Sequence, residues 1–351
     1  MIPYARHFIT EADLNAVSYA LRSDWLTTGP MIGRFEAQFA ERHGARYAVA
    51  MSSCTAALHA AARSFAKHAP CLFEIPALTF VATANAALYA VNPINFVDVQ
   101  RDTLTMDCSQ LSDSASIAPV SIVVEYAGLD CSPETEGVIF DKAHGCGNPH
   151  SGFISCYSLH AAKHITTGEG GMLTTNDGDI ADFARRFRNH GIGANGDMVD
   201  FGYNYRMTDF QAALGMSQLA TLDMRIERRR EIATAYNAAF NSLSQIEIMP
   251  YPVNASVWHL YPIRLDLDRL TITRDEFRSE LKERDIGTQV HYRPVYYHPY
   301  YRRLGYRRGL CPVAEAEYER LVSLPMWYGM TDENVLEVIK TVTDVCNEYA
   351  R

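Results

Sequence analysis

The sequence lacks the features that mark several classes of protein. Its 351 residues include eight cysteines, but none stand in the C-x-x-C spacing of a zinc site or a redox dithiol. No apolar run reaches the roughly 18 to 20 residues that span a bilayer. The first residues also lack the charged and then apolar build of a signal peptide. We therefore expect no metal site and no membrane contact, and we expect reduced thiols in the cytoplasm.

Positive charge is also scarce. The chain has 32 Lys and Arg against 41 Asp and Glu, which gives a net charge of -9. Binding nucleic acid through its phosphates needs a basic face, so this balance argues against such a partner. The basic run at residues 225–230 is interrupted by Ile226 and Glu227 and lies in a helical pattern, so we interpret it as a solvated helix. Small-molecule chemistry fits the composition better.

Between about residues 47 and 175, short β-rich runs alternate with helical ones. The runs are YAVAM, TAALHAAARSFAK, PALTFVATANAALYAV, INFVDV, SIVVEYA, GVIFD, FISCYSLH and GMLTTN. Such alternation is typical of βα units around a mostly parallel sheet. The sequence therefore predicts an α/β fold class.

The pattern changes in the last third of the chain. Helical spacing from Asp209 to about Phe240 predicts a helix that leaves the first domain. After it, the strand-like segments VWHLYPIRLDL and GTQVHYRPV flank a helical RDEFRSELKERD, and ENVLEVIKTVTDVCNEYA predicts a final helix. We predict a large domain at residues 1–225 and a smaller α+β domain at 226–351.

A glycine pattern and a hydroxyl-rich turn are two candidate anion sites. Gly191, Gly193 and Gly196 match G-x-G-x-x-G, but no strand precedes them and no helix follows, so we predict a loop. Residues 52–55 lie where YAVAM turns into a helix, and small hydroxyl residues there can cap the helix while its free N–H groups hold a phosphate. An ordinary helix cap is the alternative for this turn.

An acid and a lysine follow two of the predicted strands. Asp141 ends GVIFD, and Lys163 comes just after FISCYSLH. The ends of parallel strands meet at one rim of a sheet, where such folds bind ligands. A lone Asp or Lys at such a place is usually surface, but Lys163 stands in SLHAAKHITTGEGG among hydroxyls, histidines and glycines. These neighbours suit a cofactor aldehyde better than a solvated surface.

Together with PALTFVATANAALYA, GYNYRMTDFQAALGMSQL and VHYRPVYYHPYYR, these segments resemble the DegT/DnrJ/EryC1/StrS family of sugar aminotransferases over nearly the whole chain. The resemblance implies a type I fold of pyridoxal-phosphate (PLP) aminotransferases and a homodimer. It also implies ping-pong transfer of an amino group, with glutamate as the expected donor, to the C4 ketone of a nucleotide-linked 4-keto-6-deoxy sugar. Pyridoxamine phosphate would be the intermediate. Within the family the sequence most resembles transaminases of UDP-linked N-acetylamino sugars of the pseudaminic acid type.

The resemblance also implies roles for single residues. Lys163 matches the lysine that forms the Schiff base and carries the proton, and Asp141 matches the carboxylate that pairs with the pyridine nitrogen. The other implied cofactor contacts are Cys54 and Thr55 in the phosphate turn, Ser158 at the phosphate, Phe80 and His144 against the ring, and Asn204 from the neighbouring subunit. The active site would then be shared between two chains.

Substrate contacts are less defined, and two other functions stay open. The candidates are Thr27, Thr28, His160, His291 and Tyr292, although the stretch HYRPVYYHPYYRR could equally be a packed interface loop. The sequence departs from the family pattern at several positions, including Phe140 and Lys142 beside the aspartate.

The first alternative function is the dehydratase branch of the same family, in which histidine replaces the lysine. The second is a sensor or regulator that keeps the fold without turnover. The presence of Lys163, Asp141 and Ser158 favours transamination over both.

Overall fold

The computed structural model describes residues 1–67, 70–112, 119–131 and 137–351. The helices are α1 (Glu11–Leu21), α2 (Pro30–His43), α3 (Cys54–Phe65), α4 (Val81–Tyr89), α5 (Gly178–Phe187), α6 (Asp209–Leu219), α7 (Leu222–Phe240), α8 (Arg274–Glu283), α9 (Pro299–Arg303), α10 (Pro312–Arg320) and α11 (Asp332–Glu348). The strands are β1 (Tyr47–Met51), β2 (Leu72–Pro76), β3 (Ile94–Val97), β4 (Pro119–Val124), β5 (Val138–Lys142), β6 (Ile154–Ser158), β7 (Gly171–Thr175), β8 (Ile246–Glu247), β9 (Tyr261–Leu265) and β10 (Leu321–Leu324).

The main sheet has seven strands in the order β1-β7-β6-β5-β4-β2-β3. β7 runs antiparallel between β1 and β6, and the other pairs are parallel. Every residue of β5, β6 and β7 is buried, as expected where helices cover both faces of a sheet. This confirms the predicted α/β class. Because β5 and β6 are parallel neighbours, their carboxyl ends lie side by side.

A second, antiparallel sheet of β10, β9 and β8 lies in the C-terminal part. The start of the chain also packs there, since Ile2 bridges to Ile286 and the Met326 N–H donates to the Tyr4 carbonyl. The expected boundary between residues 225 and 226 lies inside α7, which is one continuous helix. We propose that α7 joins the two parts of the molecule.

The structure contradicts several secondary-structure predictions in the second half of the chain, two of them over whole segments. The single helix expected from Asp209 to Phe240 is two helices, α6 and α7, separated at Ala220 and Thr221. GTQVHYRPV forms no strand, and its ladder contact is one bridge between Gln289 and Ser323. Its carbonyls bond side chains instead, since the Tyr126 hydroxyl donates to the His291 carbonyl at 2.5 Å.

The basic run at residues 225–230 is not a solvated helix face, which corrects that interpretation. Arg225 and Arg229 are only 3% and 2% exposed. Arg229 Nη1 donates to the carbonyls of Trp258, His259 and Met326, each at 3.1 Å. Burial is possible because each cation meets backbone oxygens from distant segments.

The remaining expectations concern the glycine loop, membrane spans and metals. Gly191, Gly193 and Gly196 lie in a loop between α5 and α6, as predicted. In the described parts of the chain, no helix has the length and apolarity needed to cross a membrane. The same residues contain no cluster of three or more His, Cys, Asp or Glu side chains arranged to hold a metal ion.

Candidate active site

A cavity of about 480 Å³ opens at the carboxyl ends of β4, β5 and β6. This size is within the usual range for sites that hold small molecules. The cavity brings together most of the residues that the sequence singled out, namely Cys54, Thr55, Phe80, Asp141, His144, Ser158, His160, Lys163, His291 and Tyr292. Two larger surface grooves, of about 700 and 550 Å³, lie along α7 and beside α1, and no lysine is among the residues that line them.

Asp141 is the next-to-last residue of the buried strand β5 and points its carboxyl group into the cavity. Its Oδ2 accepts a hydrogen bond from the Thr83 hydroxyl at 2.7 Å, and its Oδ1 accepts one from the Ala143 N–H at 3.0 Å. Burial raises the pKa of this carboxyl, although both hydrogen bonds and the nearby Lys163 act in the opposite direction. The carboxylate is thus held in a fixed orientation and would gain from a cationic partner in the cavity.

Lys163 follows β6 in a turn that is closed by its own N–H donating to the His160 carbonyl at 2.9 Å. Its Nζ lies 3.2 Å from Nε2 of His259. Burial lowers the pKa of the Lys163 amine to about 8. A lower pKa increases the neutral fraction of the amine near neutral pH, and the neutral amine is the nucleophile.

Flat side chains form the walls of the cavity between Asp141 and Lys163. Nε2 of His144 lies 2.9 Å from the Tyr292 hydroxyl, and the two rings are stacked at an angle of 16°. Phe80 is 59% exposed and faces Tyr292 across 6.2 Å between ring centroids. A planar heteroaromatic ring would fit against such walls.

The turn before α3 forms the far end of the cavity. Ser53 caps α3 by accepting the Ala56 N–H at 3.1 Å, so Cys54 and Thr55 begin the helix with N–H groups that have no intrahelical partner. Gly171 passes so close that a Cβ there would lie 2.3 Å from the Ser53 carbonyl carbon. This end is suited to a phosphate dianion.

The three features together fit pyridoxal 5′-phosphate. Asp141 supplies an anion for the pyridine nitrogen, Lys163 supplies an amine for the aldehyde, and the α3 turn with Ser158 supplies donors for the phosphate. Each is placed by an element of the main sheet or by the helix that follows it.

Three predicted residues do not line this cavity in their own chain. Thr27 forms a backbone bridge with Thr208. Thr28 lines a separate cavity of about 100 Å³ that also includes Arg188 and Arg206. Asn204 is exposed; its predicted role places it in the site of a neighbouring subunit, and that role stays a prediction.

The aromatic stretch from residue 291 to 303 divides in two. His291 and Tyr292 reach the cavity. Tyr296 and Tyr301 are buried, and their hydroxyls donate to Glu315 at 2.6 Å and to Asn85 at 2.7 Å. The latter part, which includes α9, is therefore packed within its own chain; whether it also lies at an interface stays a prediction.

The unusual Lys142 has a structural explanation. Neighbouring residues of a strand point to opposite faces, so Lys142 points away from the cavity that Asp141 faces. Its ammonium pairs with Glu125, and both side chains are fully buried. The Asn148 amide also donates to Glu125 at 2.7 Å. This pair fixes the turn that carries His144.

Sequence reasoning missed Thr83, His259 and Arg229. Thr83 and Asp141 are 58 residues apart in the chain, and no local pattern links them. The one available signal for His259 is a polar residue inside the otherwise apolar run VWHLY. Arg229 was assigned to a solvated face because charged residues are rarely buried.

A family model described as the DegT/DnrJ/EryC1/StrS aminotransferase family matches residues 7–343. The spore coat polysaccharide biosynthesis protein SpsC of Bacillus subtilis is 34% identical over 98% of this chain and 97% of its own. An uncharacterised protein, MJ1066 of Methanocaldococcus jannaschii, is 34% identical over 99% of this chain and 98% of its own.

Solved structures also resemble this chain over nearly its full length. Helicobacter pylori PseC, an aminotransferase involved in the biosynthesis of pseudoaminic acid, has a TM-score of 0.92 at 27% identity and covers 99% of this chain and 100% of its own. The PMP form of the putative sugar aminotransferase Spr1654 of Streptococcus pneumoniae has a TM-score of 0.91 at 27% identity, with coverage of 99% and 98%. The predicted type I aminotransferase fold is confirmed.

Proposed function

The chain belongs to the DegT/DnrJ/EryC1/StrS aminotransferase family, and on that premise we propose that it aminates the C4 ketone of a nucleotide-linked 4-keto-6-deoxy sugar. Its cofactor is pyridoxal 5′-phosphate, and glutamate is the proposed donor. The observation that carries the proposal is the placement of Lys163 and Asp141 in one cavity, at the adjoining ends of β5 and β6, beside a phosphate-binding turn.

When bound, pyridoxal phosphate supplies an electron-withdrawing ring and carries the amino group between two substrates. Asp141 would hold a proton at the pyridine nitrogen, and Thr83 and the Ala143 N–H keep its carboxylate aimed there. Nζ of Lys163 would take up and return the proton of the reacting substrate carbon. The α3 turn and Ser158 would hold the phosphate.

A ping-pong order is part of the proposal. The cavity has about 480 Å³ for cofactor and substrate together. Both substrates must present their reacting carbon to Nζ of Lys163, so they would use the same position in turn. The keto acid formed from the donor would leave before the sugar enters.

We further propose that two chains share each site as a homodimer. In the loop between α5 and α6, Met198, Val199 and Phe201 are 70%, 64% and 59% exposed. A group of apolar side chains on a surface loop suits packing against another protein. Asn204 lies in the same loop, so a second copy seated on it would bring Asn204 towards the cofactor phosphate of its partner.

Mixed dimers test this sharing. A dimer of one Lys163→Ala chain and one Asn204→Ala chain has one fully intact site if Asn204 acts in the partner's cavity, and none if it acts in its own. We expect co-expressed chains to recover activity that neither variant shows alone. No recovery in a verified mixed dimer would contradict the shared site.

The absorption spectrum of the purified protein tests the enzymatic proposal. We expect a visible cofactor band that fades on adding glutamate and is missing in Lys163→Ala. The product mass then separates replacement of the ketone by an amine from the loss of water that a dehydratase causes. Absence of any band after incubation with pyridoxal phosphate would favour a sensor or regulator.

A further inference from the structure

His259 is a buried histidine that lies directly against the amine of Lys163. Its Nε2 is 3.2 Å from Nζ of Lys163, and the residue is 7% exposed. The other ring nitrogen, Nδ1, has no hydrogen-bond partner within the described residues. Buried polar atoms usually find partners, so the contact with Lys163 is the polar interaction that this ring makes where the structure is described.

The backbone around His259 is held from several directions. Trp258 has a φ of 49°, a conformation that bulky residues rarely adopt. The Ser256 hydroxyl accepts the Trp258 N–H at 2.9 Å, and the His259 N–H donates to the Ala127 carbonyl at 2.9 Å. Arg229 donates to the carbonyls of Trp258 and His259. These bonds fix the ring against Lys163.

The surroundings keep the imidazole neutral. Burial, followed by the nearby positive charge of Lys163, holds the pKa of His259 well below its ordinary value. The rings of His144 and His164 lie 4.6 and 5.5 Å from the His259 ring, centroid to centroid. A neutral ring that carries its proton on Nδ1 can accept a hydrogen bond at Nε2.

We propose that His259 is a positioning residue for Lys163, which accepts a hydrogen bond from its amine whenever that amine is not bound to the cofactor. The proposal rests on the proposed function, because a lysine that is bound and released in each cycle needs a defined place between the two half-reactions. The contact holds Nζ inside the cavity and gives the ammonium form an acceptor. Lys163 can then retain the proton that it takes from the substrate carbon until it returns that proton.

The test measures Lys163 itself in full-length protein stripped of cofactor. Acetic anhydride acetylates only the neutral amine, and mass spectrometry of the Lys163 peptide gives its reactivity at each pH. In His259→Leu the ammonium loses its acceptor, so we expect the reactivity profile to move down by about one pH unit. His259→Gln keeps a side-chain acceptor and should recover at least half of that shift.

Other groups facing Lys163 also titrate or carry charge, so they must be unchanged in the comparison. They are Cys54, Asp141, His144, Cys146, His164, Arg229 and His291. His150→Leu is the matched control, since His150 also has one ring nitrogen bonded, to the Thr174 hydroxyl at 3.0 Å, and one unpartnered among the described residues. It should leave the Lys163 profile where it is.

An unchanged or upward-shifted profile in a folded His259→Leu protein would overturn the proposal. If that variant does not fold, His259→Met fills the same space with a much weaker acceptor and is judged by the same profile. If His259 had only a packing role, replacing it would lower the melting temperature without moving the reactivity profile of Lys163. Because the labelling uses no cofactor, its failure is separate from the absence of a cofactor band, which would instead contradict the proposed function.

Discussion

The two walls of the cavity are built in different ways. One wall comes from the main sheet, where Asp141 lies near the end of β5 and Lys163 follows β6. The other comes from the C-terminal part of the chain, where Tyr292 lines the cavity and His259 lies behind the lining against Lys163; both are on segments outside the regular helices and strands. Strand pairing positions the first wall. Bonds from side chains such as Arg229 to backbone carbonyls position the second.

The difference separates the side chains that would react with the cofactor from those that hold them in place. The sheet wall carries the groups that would react with the cofactor, whereas the irregular wall contacts those groups and limits their movement. Changes on the sheet wall should therefore act mainly on the rate. Changes on the irregular wall should act mainly on stability or produce smaller changes in rate.

The largest effect is expected on the sheet wall, for Asp141→Asn. Asparagine keeps the size and can still accept the Thr83 hydrogen bond, but it cannot act as the anion that keeps the pyridine nitrogen protonated. We expect kcat/KM for amino transfer to fall on the order of a thousandfold. Thr83→Val, which removes the 2.7 Å orienting bond to Asp141 together with the 2.7 Å contact between the Thr79 and Thr83 hydroxyls, should cost about tenfold. Equal losses in the two variants would contradict the assigned roles.

On the irregular wall, Arg229→Met should reduce stability. It leaves three buried carbonyls without their donor, so the free energy of unfolding in urea should fall by about 3 kcal/mol. Arg228→Met on the same helix is the control, because its acidic partners Glu231 and Asp332 are exposed and it donates to a single carbonyl, that of Met330 at 2.8 Å, where Arg229 donates to three. It should cost about 1 kcal/mol or less. If Arg229→Met lowers the free energy of unfolding no more than Arg228→Met does, the three carbonyl bonds of Arg229 contribute little to stability.

Lys163→Met should stabilise the cofactor-free protein. Burial depresses the pKa of Lys163 from 10.5 to about 8, so the native state is penalised wherever the unfolded chain binds the proton more strongly. This penalty is absent above pH 10.5, grows as the pH falls and is complete below 8. We expect a gain of about 3 kcal/mol at pH 7 that shrinks between pH 8 and 10. A gain independent of pH would point to packing instead.

The smallest effect is expected for Tyr292→Phe, which removes the hydroxyl that contacts His144 at 2.9 Å. The stacked ring stays, so the wall keeps its shape. We expect kcat/KM to fall about fivefold. A loss as large as that for Asp141→Asn would give Tyr292 a direct part in the chemistry and would remove the distinction between the two walls.

The same contrast explains what the sequence could predict. Apolar runs with defined ends located β5 and β6, and two parallel strands necessarily bring their carboxyl ends to one rim, so Asp141 and Lys163 could be placed together. The break between α6 and α7 was missed because no Gly or Pro marks Ala220 and Thr221.

The irregular wall left weaker signals. VWHLYPIRLDL predicts a strand throughout, but β9 begins only at Tyr261. The direction of the His259 ring depends on the left-handed Trp258 and on Arg229, which lies 30 residues earlier. Contacts over such separations follow from the folded chain and not from local periodicity.

Gly171 has a consequence for the range of sequences that can keep this site. Any L-residue there would place a Cβ 2.3 Å from the Ser53 carbonyl oxygen and 2.4 Å from the Cys54 nitrogen, and neither backbone atom can yield as a flexible side chain does. Saturation mutagenesis of this single codon, followed by screening of the variants for amino transfer, should return glycine alone. The neighbouring codon for Met172 should return several apolar residues, because cores tolerate swaps of similar volume.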